Sequence, residues 1–270
     1  MAVKQYLRGA SNQLGQAALR KLSNSFTGEI ILPGDLRYLN ARKVWNRAVK
    51  KFPIVIARCA TREDVKRAIE FAHHDDLTIA IRGGGHSFAG HGVCDGGMVI
   101  DLSLMKRVSI VPRAALVQID AGVLAHELDY STQAFDLAVP LGSCPTVGVA
   151  GYALGGGESA LTPKFGYACD SIRQVEIFTA DCQMLIANKN QHEDLFWAVR
   201  GAGANFGVVV SLTFLVIRSR RFCRAILNIQ SGRRLGCSLS SRSMRPAFPM
   251  ICFSPWQSYL IRVNECSTLA

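Results

Sequence analysis

A chain of 270 residues, of which 49% are hydrophobic, can bury a sizeable core, and this excludes an intrinsically disordered protein. Its nine cysteines form neither a CxxC pair nor a zinc-like cluster, so we expect neither a disulfide framework nor a metal site. The net charge of +11 would suggest a polyanionic partner, but residues 218–270 hold nine arginines against one acid, a net of +8. Because the basic character belongs to this segment, no nucleic-acid partner is expected.

The sequence contains no membrane signal. Its apolar runs are far shorter than the roughly 18 residues that cross a bilayer, and residues 1–8 are not followed by the apolar stretch of a secretory signal. We therefore expect no membrane partner. The compartment is unknown, with a cytoplasmic location as the default.

The first elements in chain order form a strand–helix–strand unit. Residues 1–44 predict a polar, helix-prone N-terminal extension, and the β-branched run at 52–58 predicts a strand. Thr61 with Asp64 three residues later is typical of a helix start, and apolar residues follow at helical spacing. The second strand, 78–82, runs directly into three glycines.

Further elements follow up to residue 217. The pattern predicts helices at 123–135 and around 194–197, a glycine-rich loop built from backbone at 142–157, and strands at 98–101, 116–120, 173–180 and 207–217. After residue 217 the composition changes to a segment with nine serines, four cysteines and no lysine. Two interpretations of this atypical basic tail, 218–270, stay open: a disordered tail, or residues from a wrong gene model that do not belong to the fold.

The first glycine loop, RGGGHSFAG at 82–90, predicts an anion site. Glycines allow successive backbone N–H groups to converge on a phosphate, and the side chains of Arg82 and Ser87 can add donors. A plain tight turn is the alternative. The chain lacks GxxxxGK[ST], which argues against a P-loop hydrolase. The glycines at 201–207 are offset from GxGxxG and follow a helix, which argues against a Rossmann site.

Three segments in this order carry a resemblance to one family: RGGGHSFAG (82–90), GSCPTVGVAGYALGGG (142–157) and LFWAVRGAGANFGVVVSLTF (195–214). Together they resemble the FAD-binding domain of the berberine bridge enzyme and glucooligosaccharide oxidase group, within the vanillyl-alcohol oxidase superfamily. The resemblance covers residues 45–217. It implies an α+β fold with two FAD-binding subdomains, one at about 45–105 and a larger one reaching about 217.

The resemblance also implies roles for three side chains. His86 matches the histidine that bonds to the 8α-methyl group of the flavin, and Cys144 matches a cysteine that in part of the family bonds to flavin C6. Val147 matches a position where valine is associated with oxygen access, which favours an oxidase over a dehydrogenase. Taken alone, a histidine of this kind is a core or surface residue, and a cysteine is an inert buried one.

The remaining cofactor contacts implied by the resemblance are mainly backbone contacts. The loop from Thr146 to Gly157 would line the isoalloxazine and pyrophosphate, and the strand start at Gly207 would pack near the adenine or ribose. The full set of expected cofactor-binding residues is Arg82, Gly83, Gly84, Gly85, His86, Ser87, Gly90, Cys144, Thr146, Val147, Gly148, Gly151, Gly155, Gly156, Gly157, Gly207, Val208 and Val209.

The activity implied is oxidation of a small-molecule alcohol, sugar or alkaloid-like substrate by hydride transfer to covalently bound FAD, with molecular oxygen as the second partner. The catalytic base stays unknown, because no convincing proton acceptor stands out. The sequence departs from the family at Glu158-Ser159, at Thr162-Pro163-Lys164 and at Asp181-Cys182, and the family's substrate domain is missing. The alternative is a truncated FAD-binding fragment without turnover.

Overall fold

A computed structural model describes residues 16–203, 205–218, 224–225 and 251–252. The chain divides into two compact units, residues 1–218 and 219–270. Within the second unit, Arg224–Ala225 and Ile251–Cys252 pair as short parallel strands. Most of the predicted tail, 218–270, therefore lies outside the described residues.

The first part of unit 1 is a four-stranded sheet with helices around it. Its elements are α1 (Gln16–Ser25), β1 (Glu29–Ile31), α2 (Tyr38–Ala41), β2 (Val55–Arg58), α3 (Arg62–His74), β3 (Ile79–Arg82) and β4 (Met98–Asp101). The strand order is β1-β2-β4-β3. β2, β4 and β3 run parallel, whereas β1 is antiparallel to β2.

The second part of unit 1 is a five-stranded antiparallel sheet in the order β5-β6-β10-β8-β9. Its elements are β5 (Val108–Val111), β6 (Leu116–Asp120), α4 (Ala125–Gln133), β7 (Leu137–Ala138), α5 (Val149–Leu154), α6 (Thr162–Phe165), β8 (Ile172–Phe178), β9 (Met184–Asn188), α7 (Glu193–Ala202), β10 (Val208–Leu215) and β11 (Ile217–Arg218). β11 pairs with β7 in a separate ribbon. This two-part α+β arrangement confirms the expected fold class.

The helix predicted from Thr61 forms, and its start is well stabilised. The Thr61 hydroxyl accepts the Asp64 N–H, and Asp64 accepts the Thr61 N–H in return. The fully buried Asp64 carboxylate also accepts backbone N–H groups from the segment before the first sheet, Thr27 and Gly28. A short-range capping pattern in the sequence therefore also anchors a distant segment.

Residues 1–44 do not lie wholly outside the domain. Glu29–Ile31 forms the edge strand of the first sheet, and Leu19 and Leu22 are buried in a core shared with both sheets. This differs from the predicted extension. The helix agrees with the helix-prone character that the sequence predicts, whereas a three-residue strand is too short to show a clear periodicity, so the sequence pattern does not reveal β1.

The sequence predicts a loop throughout the glycine-rich segment 142–157, and this is wrong for its centre. Val149–Leu154 forms a helix. The helix start is anchored by the Val149 N–H, which donates to the Val123 carbonyl at 2.9 Å. Tertiary contacts therefore override the low helix propensity of glycine here.

Candidate functional site

The first two glycine motifs meet backbone to backbone. A Cβ atom on Gly84 would lie 2.3 Å from the Gly148 nitrogen, and a Cβ on Gly148 would lie 2.4 Å from the Gly84 nitrogen. Side chains at either position would force the two loops apart. Glycine therefore brings residues 83–86 and 144–148 together, although they are far apart in sequence.

Backbone hydrogen bonds hold the second loop in this position. The Ala125 N–H donates to the Val147 carbonyl at 2.9 Å. The His126 N–H donates to the Pro145 carbonyl, and the His126 Nδ1 atom lies 2.8 Å from the same oxygen. The first turn of α4 thus fixes the loop from Pro145 to Val147.

The third motif lies against the other two. The Gly203 N–H donates to the Leu154 carbonyl at the end of α5, and the Ala121 N–H donates to the Val210 carbonyl of β10. A Cβ on Gly83 would lie 3.2 Å from the Ala121 carbonyl oxygen. The third motif therefore contacts the second directly and is linked to the first through Ala121.

His86 lies where the first two loops meet, and its ring has two partners. The Thr146 Oγ1 atom is 3.0 Å from His86 Nε2. The Trp45 indole stacks on the imidazole, with ring centroids 5.5 Å apart. Partial burial lowers the pKa of His86 below its ordinary value. The imidazole is therefore held in a defined orientation and is neutral at neutral pH.

Cys144 is exposed on the second loop and carries a free thiol. Its Sγ atom lies 3.6 Å from the Thr146 hydroxyl. Cys144 and Val147 line the same cavity of about 240 Å³, together with Tyr152 and Glu158. The two expected tethering residues, His86 and Cys144, are thus bridged by the hydroxyl of a single residue.

The Arg82 side chain does not have the role expected from the sequence. Its guanidinium is buried and donates to the Asp101 carboxylate at 2.6 Å and to the Ala41 carbonyl. Arg82 and Asp101 are register partners on β3 and β4. This placement corrects the expectation of a phosphate donor. Arg82 instead fixes the end of the strand from which the glycine loop starts.

The rest of the first loop is a tight turn. Gly85 has a φ of +70° and its carbonyl accepts the Trp45 N–H. The Ser87 hydroxyl accepts the His91 N–H at 3.3 Å, and the Ser87 carbonyl accepts the Gly90 N–H. Ser87 therefore stabilises the turn itself, and its hydroxyl proton is still available to donate.

The glycines at the end of the second motif differ in their surroundings. Cβ atoms on Gly151 and Gly156 would meet nothing within 4 Å, whereas one on Gly157 would lie 2.7 Å from the Tyr152 ring. A Cβ on Gly155 would contact only the backbone of its own helix, the nearest atom lying at 3.4 Å. Open surface above Gly151 and Gly156 is what close approach of a ligand to backbone requires.

Tyr152 packs between the two ends of this motif. A Cβ on Gly142 would lie 3.2 Å from its ring, and its hydroxyl donates to the Glu158 carbonyl. Burial, with a smaller effect from the nearby Glu158 charge, raises the pKa of Tyr152 to about 12. The phenol therefore remains a hydrogen-bond donor at any physiological pH.

The strand start at Gly207 is shaped by close backbone contact. Gly207 has a φ of +145°, and a Cβ there would lie 2.1 Å from the Phe178 carbonyl oxygen. Val208 and Val209 are buried in β10 and pair with β8. Pairing of β10 with β6 begins only at Ser211. The Val208 and Val209 side chains are part of the core, so any ligand contact there is through backbone.

Three residues that shape the site were missed at the sequence level: Trp45, Asp101 and Tyr152. An acid at the end of an apolar strand was the only signal for Asp101, whereas the contacts of Trp45 and Tyr152 have no local signature. In the ranges that the structure describes, no group of three or more His, Cys, Asp or Glu side chains is placed to hold a metal ion. Over the same ranges, no helix has the length and apolar character needed to cross a bilayer.

Residues 53–188 match the family model described as an FAD binding domain. The chain belongs to this family of FAD-linked oxidoreductases. It is 38% identical over 188 residues to (R)-6-hydroxynicotine oxidase of Paenarthrobacter nicotinovorans, covering 70% of this chain and 41% of that protein.

Solved structures agree with this assignment. BBE-like 1 of Physcomitrella patens superposes with a TM-score of 0.71 at 31% identity, covering 74% of this chain and 44% of that one. The xylooligosaccharide oxidase of Myceliophthora thermophila has a TM-score of 0.70 at 29% identity, covering 75% and 43%. The chain thus spans about two fifths of the length of the relatives it matches.

The described residues fit an FAD cofactor. The contact between Gly84 and Gly148 brings the two loops together, and the surface above Gly151 and Gly156 is free of side chains. A nucleophilic nitrogen on His86 and a free thiol on Cys144 lie at the same place. This combination of bare backbone and two nucleophiles suits a cofactor that is both bound closely and tethered.

Proposed function

We propose that this chain holds FAD covalently through His86 and Cys144 and serves an oxidase that acts on a small-molecule alcohol, sugar or alkaloid-like substrate. The observation that carries the proposal is the convergence of both nucleophiles on the Thr146 hydroxyl, at 3.0 Å from His86 Nε2 and 3.6 Å from Cys144 Sγ. When bound, FAD supplies the redox chemistry by accepting a hydride and passing electrons to oxygen.

The chain's own residues bind the cofactor and orient it. Neutral His86 presents a ring nitrogen with a lone pair, since burial lowers its pKa. The open surface above Gly151 and Gly156 allows close approach of the cofactor to the backbone. Val147 lines the cavity beside Cys144, and its small side chain is the basis for assigning oxygen as the electron acceptor.

Peptide mass spectrometry tests the two attachments separately. Trypsin releases His86 in peptide 83–106 and Cys144 in peptide 114–164. A doubly tethered flavin joins these two peptides into one species with the mass of both plus the cofactor. His86→Ala should leave flavin only on 114–164, and Cys144→Ala only on 83–106. Unmodified peptides from a chain expressed with ample riboflavin would contradict the tethers.

Turnover is tested by hydrogen peroxide release from the flavin-loaded chain with panels of amines, sugars and alcohols. Peroxide that depends on one of these substrates supports oxidase activity. A chain that holds FAD covalently but releases no peroxide with any of them supports the alternative, FAD binding without turnover.

A further inference from the structure

The Thr146 hydroxyl has a position that main-chain binding of a cofactor does not explain. Its Oγ1 atom is 3.0 Å from His86 Nε2 and 3.6 Å from Cys144 Sγ. The resemblance assigned this residue backbone contacts only. We propose that Thr146 is a positioning residue that sets the tautomer of His86 and orients the sulfur of Cys144. This inference rests on the proposed function, because it concerns how His86 and Cys144 form their bonds.

A hydroxyl can donate one hydrogen bond and accept two, so Thr146 can serve both neighbours. In the arrangement we propose, His86 Nε2–H donates to Thr146 Oγ1, and the Thr146 hydroxyl donates to Cys144 Sγ. The first bond leaves His86 Nδ1 as the nitrogen with the free lone pair. The second orients the Cys144 sulfur, which is the nucleophilic atom of cysteine.

The surroundings hold the His86 ring in one position relative to Thr146. The backbone contact between Gly84 and Gly148 fixes the distance between the two loops. The Trp45 indole stacks against the imidazole of His86 at an interplanar angle of 26°. One ring face is therefore covered by indole and one ring edge is bound to Thr146, so Nδ1 is the nitrogen left for the cofactor.

Molecular oxygen is the oxidant in the formation of each bond between the chain and the flavin. For His86, the new bond joins Nδ1 to the flavin 8α carbon, and the Nε2–H bond and one 8α C–H bond break. The Nε2 proton leaves through the exposed Thr146 hydroxyl. For Cys144, an S–C bond to flavin C6 forms as the S–H and C6–H bonds break. In each case two electrons and two protons reduce one oxygen molecule to hydrogen peroxide.

The first test needs no flavin. In the FAD-free chain labelled with nitrogen-15 histidine, the His86 signals are assigned by comparison with His86→Gln. At a pH where the imidazole is neutral, we expect a protonated Nε2 with a slowly exchanging proton, and loss of this slow exchange in Thr146→Val. A His86 ring protonated at Nδ1 would overturn the proposal, because Thr146 would then donate to Nε2.

The second test measures covalent attachment when FAD is added to the FAD-free chain. Thr146→Val keeps the shape but removes the hydroxyl, and we expect both attachments to slow about tenfold, an effect at the upper end for one hydrogen bond. Thr146→Ser restores the hydroxyl and should restore the rate. Thr179→Val is the matched control, since it removes a bonded threonine hydroxyl outside the site.

The two tests separate the possible failures. If the wild-type chain forms no covalent flavin, the proposed function fails. If the wild type forms it and Thr146→Val attaches FAD at the same rate, the proposed function stands and the role of Thr146 is wrong. If Thr146→Val binds no FAD, the histidine spectrum of the FAD-free chain and the Thr146→Ser rate decide the outcome.

Discussion

Gly84 and Gly148 lie in direct backbone contact, and neither position has room for a side chain. A Cβ on Gly84 would come within 2.3 Å of the Gly148 nitrogen and 2.8 Å of its Cα atom. This contact places His86 and Cys144 on adjoining loops. The two glycines therefore matter for the distance between the loops, and not only for the flexibility of each loop.

Gly84→Ala should separate the loops. Overpacking of this kind costs about 1–3 kcal/mol, which corresponds to a fall in melting temperature of roughly 2–4 °C per kcal/mol for a domain of this size. We expect a lower melting temperature and loss of covalent flavin. For the melting temperature of the FAD-free chain, the control is Gly151→Ala, whose Cβ would enter open space within a helix. A melting temperature for Gly84→Ala equal to that of the control would contradict the contact.

The buried ion pair between Arg82 and Asp101 should contribute strongly to the stability of the domain, because it joins the ends of β3 and β4. Arg82→Met leaves the Asp101 carboxylate buried without its main partner, and such a loss costs about 3–5 kcal/mol. Urea denaturation measures this effect. The double variant Arg82→Met with Asp101→Leu should recover part of the loss, because no unpaired charge remains.

An exposed ion pair provides the comparison for this prediction. Arg37 binds Asp35 at 2.7 Å on the surface, and Arg37→Ala should leave the urea midpoint unchanged. If Arg82→Met behaved like Arg37→Ala, Arg82 would not be the anchor of the strand end and would again be a candidate donor to the cofactor.

Formation of the His86 tether should continue at mildly acidic pH. Only the neutral imidazole can form the bond, and burial lowers the pKa of His86 from 6.5. The attachment rate should therefore rise with pH and reach half its maximum below pH 6.5. The Cys144→Ala background isolates the histidine. A half-maximum above pH 6.5 would mean that the charged form is stabilised and would contradict the burial effect.

Tyr152 should hold the two ends of the second glycine motif, 142–157, together. Tyr152→Phe removes the bond to the Glu158 carbonyl and should cost about 1 kcal/mol, whereas Tyr152→Ala also removes the ring between Gly142 and Gly157. We expect Tyr152→Ala to speed tryptic cleavage at Lys164. Tyr130→Ala, at a residue that is 84% exposed, should not change cleavage. If Tyr152→Ala and Tyr130→Ala resisted trypsin equally, the Tyr152 ring would not hold the two ends of the motif together.

Local signals predicted much of the fold. The strands Met98–Asp101 and Leu116–Asp120 have the predicted bounds, and Thr61 begins the expected helix. These features depend on neighbours in sequence, as capping and β-branched runs do. The helix Val149–Leu154 was not predicted, since its glycine disfavours helix and tertiary hydrogen bonds stabilise it.

The candidate site was predicted only in part for a similar reason. The motifs indicated which loops form the candidate site. They did not indicate that Gly84 packs against another loop, whereas Gly151 leaves open surface. The role of Arg82 depends on its register partner Asp101 on a neighbouring strand. Such long-range pairings leave no trace in a single sequence.

Acid precipitation of the purified chain tests the central claim most directly. The flavin absorbance of the pellet is compared for the wild type, His86→Ala, Cys144→Ala and the double variant. The account predicts a yellow pellet for the wild type and for each single variant, and a colourless pellet with free FAD in the supernatant for the double variant. A wild-type pellet without flavin, from a chain that binds FAD before precipitation, would contradict it.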